Sequence, residues 1–184
     1  MNAFVLFPSL QVLNLSGTKI TDIGLGFIAQ LTNLTELSLD RTGITYEGVQ
    51  KLRVLPKLAD LSVANTRTSN AAIGALLASP LAAVLKSLNV SNTVVTNDGL
   101  VHLAQFRGLT FLNLTSTRIT RDVISAHFGH TEVKIRLDGL FANEAEHARA
   151  LEQEALRHQQ HQQQLQQQQM QQELDMEGDG MDED

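Results

Sequence analysis

The chain has 184 residues, enough for one domain with a core of its own and too few for two. Aromatic residues make up only 4%, with no Trp and Tyr46 as the one Tyr, and Cys is absent, which excludes disulfides, thiolate nucleophiles and Cys-ligated zinc or iron–sulfur sites. The net charge of −6 is concentrated at the C-terminus: residues 1–142 carry 12 basic and 9 acidic groups, whereas residues 173–184 carry 7 acidic groups and no basic one. The body therefore offers little attraction to nucleic acid or to an anionic membrane.

The first residues, Met1 to Pro8, have neither a basic stretch nor a long apolar one, so no signal peptide is expected. No apolar run is long enough to span a bilayer, and the expected location is the cytoplasm or nucleus. Phe7-Pro-Ser-Leu10 parallels Leu31-Thr-Asn-Leu34, so the chain starts on what reads as the tail of a preceding unit, without a polar cap. Such an edge either pairs with something or marks a piece of a longer array.

Leu10, Leu13 and Leu15 then open a series. Leu34/Leu37/Leu39, Leu58/Leu61/Val63, Leu85/Leu88/Val90 and Leu109/Leu112/Leu114 follow at steps of 24, 24, 27 and 24 residues, and Val133/Ile135/Leu137 is a weaker sixth copy. The alternation predicts strands, with the Leu side chains turned inward and the residues between them outward. Beyond each strand stand Thr18, Thr42, Thr66, Thr93 and Thr117, expected to form a ladder that satisfies polar groups of neighbouring turns. Next come Ile20, Ile44, Thr68, Val95 and Ile119, followed by Thr21, Thr45, Ser69, Thr96 and Thr120, which have helix N-cap chemistry. Asp22, Glu47, Asp98 and Asp122 suit the positive end of a helix dipole, and Gly24, Gly48 and Gly99 suit close packing of each helix start on its neighbour. Apolar residues continue at helical spacing, as in Leu25/Ile28/Leu31 and Leu100/Leu103/Phe106. The third copy holds about three extra residues around Pro80, which predicts a longer or broken convex segment.

After residue 140 the composition changes. Residues 141–158 are rich in Ala, Glu, Leu and Arg and predict a helix, with Ala148, Leu151 and Ala155 at coiled-coil spacing. Residues 159–172 hold 11 Gln in 14 positions, and the acidic end follows. The span 159–184 is expected to be a low-complexity, disordered tail.

The pattern L-x-x-L-x-L-x-x-T-x-I-T-x-x-G-L resembles the leucine-rich-repeat family, and within it the ribonuclease-inhibitor-like group and the repeats of F-box leucine-rich-repeat proteins. The resemblance covers residues 4–140 and departs at the ladder position, where the family usually has Asn or Cys and this chain has Thr. It implies an α/β solenoid over residues 1–140: a right-handed horseshoe segment with a parallel concave sheet of five or six strands and convex helices. It also implies that the concave face is the partner surface. No F-box is visible, so ubiquitin-ligase function is not carried over. The alternative is the substrate-recognition part of an F-box-type ligase whose F-box or further repeats lie outside this chain.

No catalytic set stands out, and neither an enzyme nor a cofactor is expected. His127/His130 and His158/His161 have metal-binding spacing but lack a full ligand set, and no metal is expected. Asn14, Asn33, Asn89 and Asn113 begin N-x-S/T sequons; three of them share one repeat position, which repeat chemistry explains. The expected function is an intracellular module that binds another protein, not nucleic acid or membrane. The expected binding residues are Glu36, Asp40 and Asp60 as an acidic cluster across neighbouring strands, Phe111 as an aromatic anchor, Asn89 and Asn113 beside it, and Arg41 and Asn65 at the rim.

Overall fold

The computed structural model describes residues 7–139 and 144–178. It divides into two compact units with the boundary between Asn143 and Glu144, a few residues beyond the expected one.

The first unit is a stack of coils. Its strands are β1 (Val12–Asn14), β2 (Glu36–Ser38), β3 (Asp60–Ser62), β4 (Ser87–Asn89), β5 (Phe111–Asn113) and β6 (Lys134–Arg136). They form one six-stranded parallel sheet in sequence order. The register follows the repeat: Leu13, Leu37, Leu61, Leu88, Leu112 and Ile135 stand side by side, so the weak sixth copy is a strand. The convex side carries α1 (Asp22–Ile28), α2 (Tyr46–Val49) with a 3₁₀ turn over Gln50–Val54, α3 (Asn70–Leu77), α4 (Leu81–Val84), α5 (Asn97–Leu103) and α6 (Arg121–Phe128). Copy three is split as the sequence predicts, with Pro80 at the N-cap of α4.

Stacking provides the core. Leu37, Leu61, Leu88 and Leu112 are buried together with Leu39, Val63, Val90 and Leu114, whereas Leu13, Leu15, Ile135 and Leu137 are half-buried, since among the described residues β1 and β6 have a neighbouring strand on one side only. No coil buries its apolar face alone.

The turn after each strand passes through a left-handed residue, in order Gly17, Arg41, Asn65, Asn92, Ser116 and Gly139, with φ between +50° and +71°. Gly and Asn suit this conformation; Arg41 adopts it against its steric preference.

The polar contacts at the turns differ from the sequence expectation in two respects. The Thr hydroxyls after the strands do not reach the neighbouring turn. Thr18, Thr42, Thr66, Thr93 and Thr117 each donate to the carbonyl three residues back in their own coil, at 2.6–2.7 Å. At this position the nearest acceptor is the carbonyl of the Thr's own strand end, whereas Thr35 and Thr110, just before their strands, do reach the neighbouring coil's carbonyls at Gln11 and Lys86. The Thr/Ser at the helix N-caps also do little capping: only Thr45 accepts from its helix, from the Glu47 amide at 3.3 Å.

At the helix starts, the bonds between coils come from the residue after the cap. The Asp22 carboxylate accepts from the Thr45 amide (2.8 Å) and hydroxyl (2.7 Å). Asn70 accepts from the Thr96 amide (2.9 Å) and donates to its hydroxyl (2.8 Å). Asn97 does the same for Thr120, at 2.9 and 3.2 Å. Gly48 and Gly99 leave room for these rungs: a Cβ at Gly48 would stand 2.3 Å from the Asp22 carboxylate, and one at Gly99 would stand 2.5 Å from the Asn70 side chain. Gly24, in contrast, makes room for Ile20 of its own coil.

The second unit is one helix, α7 (Glu144–Gly178). It runs well past residue 158, where the sequence reading ends the helix and starts a disordered tail. Gln, Leu, Met and Glu are good helix formers, and no Pro or Gly interrupts the run before Gly178. Low complexity removes a core-facing stripe but not helical propensity. The acidic residues 179–184 lie outside the described residues.

Candidate functional site

The concave face carries two outward rows, and their chemistry differs. The second row is Asn14, Ser38, Ser62, Asn89 and Asn113, one from each of β1 to β5. Its side chains are largely used by the fold. Asn14, Asn89 and Asn113 each accept from the amide two residues on, at 2.9–3.1 Å. Asn89 also donates to the Ser62 hydroxyl at 3.0 Å. The three equivalent sequon asparagines therefore have a structural task in the turn.

The first row is Val12, Glu36, Asp60, Ser87, Phe111 and Lys134, aligned by the strand register. A shallow groove runs along it, lined by Val12, Glu36, Asp60, Ser87 and Phe111 with Asn89 alongside. Val12 is 56% exposed and Phe111 is 37% exposed. The carboxylates of Glu36 and Asp60 stand on paired positions of β2 and β3 and have no hydrogen-bond or ion-pair partner among the described residues. Two like charges on directly opposed strand positions repel each other. The groove thus offers uncompensated negative charge at its middle and apolar surface at both ends.

The sequence-predicted residues divide accordingly. Glu36, Asp60, Asn89 and Phe111 come together in the groove. Asp40 does not join the other two carboxylates. It lies beyond the strand, where it accepts from the Ser62 hydroxyl at 2.5 Å and the Ala64 amide at 2.8 Å, binding coil two to coil three. Arg41 and Asn65 occupy left-handed turn positions on the rim, and Asn65 accepts from the Asn92 amide group. Asn113 is half-buried in its own turn. Val12 and Ser87 line the groove too; both stand at outward strand positions of the repeat but are not among the expected binding residues. Val12 is distinguishable in the sequence, since it falls 24 residues before Glu36 at an outward position that is polar in the next three coils.

Other candidates stay apart from this face. His127 is exposed and its Nδ1 lies 2.9 Å from the Val123 carbonyl, so it is used within α6. Among the described residues there is no group of three or more metal-ligating side chains and no helix long and apolar enough to cross a membrane. The side chain of His158 lies outside the described residues.

Comparison with known proteins agrees with this architecture. A family model described as leucine rich repeats in two copies matches residues 8–46, and one described as leucine rich repeat matches residues 83–104. No curated protein matches the chain. Among solved structures, internalin C2 from Listeria monocytogenes is similar at 24% identity and a TM-score of 0.58, over 74% of this chain and 55% of that one. A second internalin of that organism, inlF, aligns at 21% identity and a TM-score of 0.48, over 78% of this chain and 51% of its own. This chain spans about half the length of the solved structures it matches, and the likeness concerns the fold.

Proposed function

Since the chain is a leucine-rich-repeat protein, we propose that it is a protein-interaction module that receives its partner on the concave face, along the row from Val12 to Phe111. Leucine-rich-repeat domains generally mediate protein–protein interaction, and the reading here is of a binding surface rather than a catalytic one. One observation carries it: Glu36 and Asp60 face each other unpartnered between two exposed apolar side chains, on a face whose second row is largely satisfied internally. A partner that presents a Lys or Arg flanked by apolar residues would relieve the repulsion and cover Val12 and Phe111. Aromatic side chains at such a position are frequent energetic anchors.

The test is quantitative affinity purification with three baits. The parent chain is compared with a concave variant (Glu36→Gln, Asp60→Asn, Phe111→Ala) and a convex control (Glu47→Gln, Arg53→Gln, Val101→Ala). The expected result is a set of proteins held by the parent and by the convex control and lost by the concave variant. The same proteins on the concave variant at parental levels, with folding confirmed by circular dichroism, refute the assignment.

A further inference from the structure

The junctions between consecutive coils are unequally joined on the turn side. Between coils one and two the Gly43 amide donates to the Ile20 carbonyl at 3.2 Å, in addition to the Asp22–Thr45 rung. Between coils three and four the Val94 amide donates to the Thr68 carbonyl at 3.2 Å, in addition to the Asn70–Thr96 rung. Between coils four and five the Arg118 amide donates to the Val95 carbonyl at 3.2 Å, in addition to the Asn97–Thr120 rung. Between coils two and three both links are missing. The Arg67 amide does not bond the Ile44 carbonyl, and Tyr46, which stands where Asp22, Asn70 and Asn97 stand, makes no bond to the Ser69 amide or hydroxyl. A surface cleft lies at this place, lined by Thr42, Gly43, Thr45, Thr66 and Arg67 among others.

The strand side of the same junction is closed. β2 and β3 are paired, the Leu39 amide donates to Ser62 at 2.8 Å, the Arg41 amide donates to Ala64 at 2.9 Å, and Asp40 adds its two bonds to coil three. The buried polar groups beside the cleft are satisfied within coil three: Thr66 bonds the Val63 carbonyl at 2.6 Å and the Thr68 hydroxyl at 2.8 Å. Opening the cleft therefore orphans no hydroxyl there.

A junction hydrogen-bonded along the strands and held on its other side only by non-directional apolar packing, of α2 and its 3₁₀ turn against α3, has the form of a hinge. We infer that coils one and two swing as a unit against coils three to six, about an axis along β2 and β3, opening and closing the cleft between Gly43 and Arg67. The axis divides the concave row, with Val12 and Glu36 on one side and Asp60, Ser87 and Phe111 on the other, so the swing changes the curvature of that face.

The absence of native Cys makes paired spin labels straightforward in the full chain. One pair, Glu47→Cys with Asp98→Cys, spans the second to the fourth coil; the other, Ala71→Cys with Asp122→Cys, spans the third to the fifth. All four positions are exposed. Pulsed electron–electron double resonance is expected to give a broader distance distribution for the first pair, and Tyr46→Asn, which restores a rung to Ser69, is expected to narrow it to the width of the second. Equal widths in the parent chain, or no narrowing in a folded Tyr46→Asn variant, overturn the inference. Should that variant fail to fold, Asn97→Ala removes the rung between coils four and five and is expected to broaden the second pair; an unchanged width there overturns it as well.

Discussion

The strand side and the turn side of this solenoid are built from the same coils but obey different rules. On the strand side every coil is alike: Leu13, Leu37, Leu61, Leu88 and Leu112 keep one register through five coils, and Ile135 continues it. On the turn side the junctions differ, because one side chain per coil decides whether a rung exists: Asp22, Asn70 and Asn97 make one and Tyr46 does not. The contrast separates two tasks. Apolar burial along the strands is non-directional and sets the fold, while directional hydrogen bonds at the turns set how firmly each coil is tied to the next.

The strongest way to break this contrast is to cut into the strand side. Leu61 is 2% exposed and Leu88 is 0% exposed, and either changed to Ala is expected to cost about 2–5 kcal/mol. A denaturant melt that finds either variant as stable as the parent contradicts the register. On the turn side, Asn70→Ala removes both bonds to Thr96 and is expected to cost about 1–3 kcal/mol in the same measurement. Arg41→Val places a β-branched residue at φ +55° and is expected to cost about 1–2 kcal/mol, whereas Arg41→Gly is expected not to destabilise. If both substitutions at Arg41 act alike, the left-handed turn is misplaced.

Smaller effects sharpen the comparison. Asp60→Asn removes the like-charge opposition to Glu36 and is expected to stabilise by about 0.2–1 kcal/mol. The gain should shrink as salt screens the pair, and a loss of stability would mean that Asp60 is used by the fold. The smallest effect concerns Asp122. Its carboxyl is held below the ordinary carboxylate range, first by the Thr120 hydroxyl and then by backbone amides, with desolvation opposing. With the folded value below the unfolded one, its contribution is present above the unfolded pKa and is lost as pH falls through the folded one. Thr120→Val is expected to raise the Asp122 pKa toward the ordinary range in an NMR titration and to flatten the acid side of the stability curve.

How much of this was legible in the sequence depended on whether the signal was periodic. The strands, their register, the split third copy and the row Glu36–Asp60–Phe111 all follow from the repeat spacing. The rungs do not, because their position reads Asp, Tyr, Asn, Asn, Arg through the coils, and no residue type repeats enough to announce a ladder. The regular Thr drew that assignment instead, although its side chain serves its own coil. Charge and proximity in sequence group Asp40 with Glu36 and Asp60, but the turn at Arg41 aims it at the next coil's backbone. The extent of α7 was hidden by composition: a Gln-rich run lacks apolar periodicity, the signal by which other helices were found, yet it retains helical propensity.

The most direct test of the claim that side-chain rungs tie coil to coil is residue-resolved amide hydrogen exchange on the full chain. The amides of Thr45, Thr96 and Thr120, each held by a rung, are predicted to be protected, and that of Ser69 is predicted to exchange much faster. Equal protection at all four positions would contradict the account.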